Sequence, residues 1–260
     1  MELSFKSQLR GWRTVIFALF LREMQSKFND KLGLGWAFIE PFIFIFAMSF
    51  VRSFISGTDV HSVPIFVYMM IGLMGVQSFM TCTGTVPGAI KRNKPLYAFR
   101  QVQPIAALIT SGFMEFSIKC GVMVLISIAI YIFRIEFHLA DPLMLIILFI
   151  LLWAFSLSIS LIFAVLTAFI PEINKIKNML NRPIFFISCT FFSLQDIPED
   201  TWHWLTWNPL VHIIELSRYA CYPSYGNAGV SISYVIEVTA VTLFFGLALY
   251  HITWKKILAR

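Results

Sequence analysis

The sequence predicts an all-α polytopic membrane protein, and three observations carry that prediction. Of its 260 residues, 58% are hydrophobic and only 13% are charged, too little charge for a water-soluble domain of this size. Apolar runs long enough to cross a bilayer as helices recur along the chain. Lys and Arg alternate with those runs, gathering at 6–31, 91–100, 175–182 and 255–260; outside these windows only Arg52, Lys119, Arg134 and Arg218 occur. That alternation is the positive-inside pattern, and it predicts that both termini are cytoplasmic. The formal charge of +6 therefore reflects topology, and no nucleic-acid partner is expected.

Residues 3–30 read as one amphipathic helix. Phe5, Leu9, Trp12, Ile16, Leu19 and Phe20 recur at helical spacing, while Lys6, Arg10 and Arg13 gather on another face. The continuous apolar piece, 15–21, is too short to span. The helix is expected in the headgroup plane, its cations toward anionic lipid, as a plain anchor or as a cuff that also touches a cytoplasmic partner. Arg22-Glu23 follows without a small-residue cleavage site, so no cleaved signal peptide is expected. Residues 1–31 form this interfacial unit and 32–260 the membrane domain.

Six spans follow. Span 1, 32–51, is about twenty residues, or roughly 30 Å as a helix. It opens with Gly33 and Gly35, carries Glu40-Pro41 one turn in, and repeats aromatic residues at Trp36, Phe38, Phe42 and Phe46. Glu40 is expected to pair with a basic residue of the N-terminal helix or the next loop. Span 2, 64–90, contains Thr81, Thr83, Thr85 and a Gly84-x-x-x-Gly88 pair that permits close helix approach; Pro87 predicts a kink or an early end. The basic loop from Lys91 to Pro104 holds a short amphipathic piece between prolines, the right size for a surface helix that docks in a partner's groove.

Span 3, 105–133, carries Glu115 and Lys119 at i, i+4 on one face. Each alone would cost roughly 2.5–3.5 kcal/mol near a helix centre, so mutual neutralisation in the bundle interior is expected. A proton relay is the alternative, weakened by the lack of a matching carboxylate in the middle of a neighbouring span. Span 4 runs from Pro142 to Ile170, with a small-residue packing stripe at Ser156, Ser160, Ala164 and Ala168. Span 5 is short, 179–194. The segment 197–222 then mixes acids with Trp202, Trp204, Trp207, Tyr219 and Tyr222, broken by Asn208-Pro209; its apolar piece 210–216 cannot cross. This pattern predicts a re-entrant or interfacial helical hairpin on the outer face. Span 6 is 230–254.

Catalytic signatures are missing. The chain has no phosphate-binding Gly-x-x-x-x-Gly-Lys-Ser/Thr loop, no His-Glu-x-x-His and no nucleophile elbow. His212 and Glu215, with His203 nearby, make a weak metal or acid–base signal. Cys82, Cys120, Cys189 and Cys221 have no paired spacing, so neither a disulfide framework nor a zinc site is expected.

These pieces together resemble the permease subunits of ABC-2 type polysaccharide exporters, most closely those of Gram-negative capsules. The resemblance rests on the interfacial helix, Leu32-Gly-Leu-Gly-Trp-Ala-Phe-Ile-Glu-Pro41, the loop from Arg92 to Pro104, Trp207-Asn-Pro-Leu-Val-His-Ile-Ile-Glu-Leu-Ser-Arg218 and the six-span plan. It implies a homodimer in the bacterial inner membrane, served by two separate ATPase subunits that hold the ATP and magnesium, with no cofactor in this chain and no enzyme activity of its own. A lipid-linked polysaccharide would pass between protomers, toward a periplasmic adaptor (co-polymerase) and an outer-membrane channel. The resemblance implies a channel wall on spans 1 and 5 capped by the outer hairpin, here Trp36, Phe38, Phe42, Phe46, Arg52, Trp202, Trp207 and Arg218. The two arginines are suited to pairing with an acidic polymer or its lipid terminus. It implies ATPase coupling through Lys91, Arg92, Leu96, Tyr97, Phe99 and Arg100. Two alternatives stay open: the same fold with O-antigen, teichoic acid or a drug as cargo, and a membrane enzyme acting on lipid-linked sugars through His203, His212 and Glu215.

Overall fold

The computed structural model describes residues 5–28, 33–57, 59–99 and 102–259; Arg100, expected in the coupling loop, lies outside them. The described helices are α1 (Phe5–Phe28), α2 (Gly33–Ser56), α3 (Ile65–Thr85), α4 (Ala89–Arg92), α5 (Pro104–Phe133), α6 (Pro142–Phe169), α7 (Ile173–Ile187), α8 (Pro209–Cys221) and α9 (Ile232–Ala259). A two-residue antiparallel ladder, β1 (Asp59–Val60) with β2 (Val63–Pro64), turns the chain from α2 into α3. His61 and Ser62 close that turn with φ of 49° and 65°, the left-handed pair that a two-residue hairpin needs.

Five of the described helices are long and apolar enough to cross a membrane: α2, α3 continued through α4, α5, α6 and α9. The chain is thus an all-α polytopic membrane protein. The region expected as span 5 takes a different form. Helix α7 starts earlier, at Ile173, and stops at Ile187 after an internal Pro183, and Cys189 then turns into a left-handed conformation with φ 53°. Irregular chain and a 3₁₀ turn, Leu194–Asp196, then carry it to the other end of the bundle. Lys177 Nζ reaches the Gly84 carbonyl at 3.3 Å near the end of α3, whereas Asp196 meets His61 at 2.7 Å at the other end of the bundle.

Polar contacts define a basic end. Arg22 bonds Asn93 at 3.0 Å, Arg92 pairs with Glu23 at 3.0 Å, and the Ile105 amide donates to the Tyr250 hydroxyl at 3.1 Å. The C-terminal part of α1, the end of α3–α4, the start of α5 and the end of α9 therefore lie together. Helix α1 packs along α5, with Leu19 buried and Phe20 edge-on to Phe113 at 5.6 Å. Its apolar stripe is thus partly spent on protein. The kink expected at Pro87 is present as a 3₁₀ turn, Val86–Gly88, between α3 and α4.

The core runs between α3 and its neighbours. Ser156, Ser160 and Ala164 of the α6 stripe are buried, and Ser160 touches Cys82 of α3. The close helix approach, however, is not at Gly84 and Gly88. A methyl group at Gly84 would meet nothing within 4 Å, whereas at Gly72 it would come within 2.8 Å of both the Thr190 carbonyl oxygen and the Arg218 guanidinium, and at Gly75 within 2.9 Å of Ile214. These two glycines let α8 and the chain after α7 seat against α3. Helix α8 is capped by Asn208, whose side chain accepts from the Leu210 amide at 3.1 Å, with Pro209 in the first turn. Almost every residue of α8 is buried.

Candidate functional site

Two clusters of buried charge lie on this frame, and they have opposite surroundings. The first opens into a cavity of about 470 Å³ between α2, α3, α5 and α7, lined by Glu40, Phe44, Gln77, Thr81, Thr85, Glu115, Lys119 and Phe185 among others. Glu115 and Lys119 are buried on α5, as the i, i+4 spacing predicts. Glu40 is exposed on α2. Expected to pair with a basic residue of the N-terminal helix or the next loop, it lines the same cavity as the α5 pair, Glu115 and Lys119. The reason is helical phase: seven residues into α2, Glu40 shares the face of Ala37, Pro41 and Phe44 that borders the cavity.

The same phase argument corrects the aromatic wall. Phe38 and Phe42 are half-buried and join the core; the Phe38 ring occupies the space a side chain at Gly121 of α5 would need. Phe42 stacks on Phe46 at 6.2 Å, and Phe46 packs on Phe66 and Phe133 at 5.8 and 5.5 Å. Within the protomer Phe38 and Phe42 form a packing seam, while Phe46 at its end stays exposed. The open face of α2 instead carries Trp36 (57% exposed), Ile39, Glu40, Ile43, Phe44 and Phe50. Arg52 is half-buried, and its Nε has no hydrogen-bond partner among the described residues.

The second cluster is sealed. Arg218, expected as a channel cation, is 0% exposed. Its guanidinium donates to the carbonyls of Cys189 (2.9 Å), Thr190 (3.0 Å) and Tyr68 (3.5 Å), pairs with Glu215 at 2.9 Å, and lies 3.6 Å over the Tyr68 ring. Glu215 in turn accepts from the hydroxyls of Tyr225 (2.8 Å) and Ser193 (3.4 Å). Arg218 therefore does not face a polymer in the protomer. Where α7 unwinds, backbone carbonyls lose their helical partners, and inside a bilayer protein such groups must find others. The planar fork of Arg218 supplies them. The signal in the sequence was Glu215-x-x-Arg218, an i, i+3 pair on an otherwise apolar helix; Tyr68, Ser193 and Tyr225 were not anticipated.

His212 and Glu215 make no catalytic pair, since both ring nitrogens of His212 are engaged. Nε2 lies 2.7 Å from the Thr206 carbonyl and Nδ1 accepts the Ser231 amide at 3.0 Å, which fixes a neutral tautomer with Nε2–H as donor. Burial also holds its pKa below the ordinary value. Among the described residues, no three His, Cys, Asp or Glu side chains group as a metal site, and the four cysteines are free. Trp202 is half-buried over Gly229, donating to the Ile197 carbonyl at 3.1 Å. Trp207 is 61% exposed at the end of the bundle remote from α1.

At the basic end the loop after α4 forms the expected short helix as a 3₁₀ turn, Lys94–Ala98. Lys91 and Phe99 (66% exposed) project outward, while Leu96 and Tyr97 are half-buried. Arg92 is held from three directions, by Glu23, the Thr85 carbonyl and the Ser111 hydroxyl. The loop borders a cavity of about 600 Å³ whose other walls are the ends of α6 and α9 and the start of α7, including Pro171, Asn174 and Ile257. Burial raises the pKa of the Tyr97 phenol, and that hydroxyl is unpartnered among the described residues.

A bundle of apolar helices with a buried short helix, α8, and an N-terminal helix strapped to the basic loop is the frame of a polytopic membrane protein. Residues 14–222 match the ABC-2 type transporter family, and the chain belongs to it. It is 36% identical over 240 residues to the polysialic acid transport protein KpsM of Escherichia coli, covering 92% of this chain and 93% of that one. It is 21% identical over 248 residues to the capsule polysaccharide export inner-membrane protein CtrC of Neisseria meningitidis, covering 95% and 94%. Against the corresponding protein BexB of Haemophilus influenzae it is 22% identical over 250 residues, again 95% and 94%.

Proposed function

We propose that this chain is the membrane-spanning subunit of an ATP-driven exporter that carries capsular polysaccharide, borne on a lipid terminus, across the bacterial inner membrane. The observation that carries the reading is similarity along almost the whole chain to proteins named for polysialic acid transport and capsule polysaccharide export. Two copies form the working unit, with the open face of α2 toward the polymer path. Residues 1–31 act as the interfacial unit and 32–260 as the membrane domain, with both termini in the cytoplasm. Separate ATPase subunits supply ATP, magnesium and force, so no cofactor resides in this chain and no reaction is catalysed by it. They dock at the basic end, on Lys91, Leu96 and Phe99 of the loop, whose Lys91 and Tyr97 border the cavity beside α6, α7 and α9. Because Arg92 ties the loop to α1 and to α5, motion at the loop reaches both the interfacial helix and a spanning helix. The segment 197–222 acts as a re-entrant cap at the outer mouth, with Trp202 and Trp207 at its rim. Beyond it lie a periplasmic adaptor and an outer-membrane channel.

The test is genetic and then biochemical. Deleting the gene in its own host should leave polymer inside the cell and remove it from the surface, with restoration by the intact chain. In vesicles holding the permease with its ATPase, Arg92→Glu should leave ATP hydrolysis running while polymer transfer falls. Surface polymer that persists after deletion contradicts the function; coupled transfer in Arg92→Glu contradicts the docking assignment.

A further inference from the structure

The exporter reading does not say which atoms meet the cargo inside the bundle, and Phe38 and Phe42 of the aromatic stripe expected there are packed into the core. The cavity bounded by α2, α3, α5 and α7 offers a different surface. Along α3, Gln77, Thr81 and Thr85 stand at i, i+4 and i+8 and all line it. Successive members are about 6 Å apart along the axis, similar to the length one pyranose adds to an extended glycan. The Thr81 and Thr85 hydroxyls donate to their own helix, to the carbonyls of Gln77 (2.6 Å) and Thr81 (2.9 Å). Their oxygen lone pairs thus stay available as acceptors.

Opposite this ladder stands the mixed charge of α5 and α2. Lys119 brings an ammonium donor, flanked by Glu115 on its own helix and by exposed Glu40 across the cavity. Two carboxylates, an ammonium, an amide and two hydroxyls in one cavity form the donor and acceptor set that vicinal hydroxyls require. The same walls carry the rings of Phe44 and Phe185, flat apolar faces suited to the C–H faces of sugar rings. The ladder also has a direction. At the Thr85 end it meets Arg92, which bonds the Thr85 carbonyl at 3.1 Å, and Lys177, which bonds the Gly84 carbonyl at 3.3 Å.

We propose that this cavity is a saccharide subsite: Gln77, Thr81 and Thr85 with Lys119 and Glu40 bind the hydroxyls of successive sugar units of a glycan chain as it moves from the basic end into the bundle. The Thr81 and Thr85 hydroxyls bond only their own helix, and the cavity they line with Gln77, Lys119 and Glu40 keeps about 470 Å³ of volume beside them. The proposal rests on the exporter reading and adds where in the chain the cargo is held.

The test places a cysteine at Thr81, with Gln77→Cys as a second variant, in the full chain expressed in its own host. A water-soluble methanethiosulfonate reagent is applied to membranes, and labelling of the wild type gives the background from the native cysteines, three of them buried and Cys120 half-buried. In membranes from cells making the polymer, labelling should be slowed roughly tenfold relative to cells in which glycan synthesis is blocked, as for a site holding ligand at roughly ten times its dissociation constant. The finished adduct should stop export. Equal labelling rates in the two backgrounds, or no labelling in either for both variants, overturns the subsite. Surface polymer in a strain lacking the chain would instead overturn the exporter reading, so the two failures are distinguishable.

Discussion

The Lys119 and Arg218 clusters use the same chemistry, a buried cation against carboxylates in an apolar bundle, yet the molecule finishes them differently. Around Arg218 three backbone carbonyls, a carboxylate and an aromatic face close over the guanidinium and two hydroxyls hold Glu215, while Arg218 Nε and the hydroxyls of Tyr68 and Thr190 are buried without a partner among the described residues. Around Lys119 the helices stand apart and the charges border about 470 Å³ of open volume. A charge fully enclosed by fixed partners serves the fold. A charge left beside space is available to something that enters. This difference, more than residue type, separates structural from working ions in this chain.

The comparison can be strained from its strongest side. Arg218→Met leaves Glu215 buried without its cation and frees the Cys189 and Thr190 carbonyls, so it should cost about 3–5 kcal/mol, read as a large fall in melting temperature in detergent. Adding Glu215→Met to that variant should recover part of the loss, because the orphaned charge is removed with its partner. Next in size is Gly72→Ala. The new methyl would press on the Thr190 carbonyl and the guanidinium at 2.8 Å, and an overpacked seam costs about 1–3 kcal/mol, measurable in the same melting assay. Glu23→Gln, at the half-exposed pair with Arg92 (51% and 16% side-chain exposure), should change stability by less than about 1 kcal/mol. Its effect should be on transfer coupling in vesicles instead. A Glu23→Gln variant that melts as low as Arg218→Met would blur the distinction drawn here.

Much of the fold was legible in the sequence because bilayer physics writes it in long letters. Apolar run length and Lys/Arg alternation outlined the helices, Asn208-Pro209 marked the cap of α8, and Pro87 marked the break after α3. What could not be read was rotation. Phe38, Phe42 and Phe46 recur at helical spacing, but only the positions of α3 and α5 decide that Phe38 and Phe42 pack inward while Phe46 stays exposed. Glu40 likewise could not be placed, since its surroundings are set by the relative height of α2 and α5. Arg218 misled for a physical reason. An arginine in a tryptophan-rich outer segment reads as exposed, and its real role depends on α7 unwinding at Cys189, a backbone event with no glycine to announce it. Gln77, Thr81 and Thr85 carried a visible four-residue period, but the glycines beside them drew attention to packing.

The most direct test of the contrast compares Glu40→Gln with Gly72→Ala in one strain, measuring melting temperature and surface polymer per folded protomer. Glu40→Gln alters an exposed carboxylate on the open cavity, so stability should hold within about 0.5 kcal/mol while polymer per folded protomer falls. Gly72→Ala should show the reverse, a lower melting temperature with polymer per folded protomer retained. Normal export by Glu40→Gln, or a stability loss matching that of Gly72→Ala, would contradict the assignment of the open cluster to cargo and the sealed one to the fold.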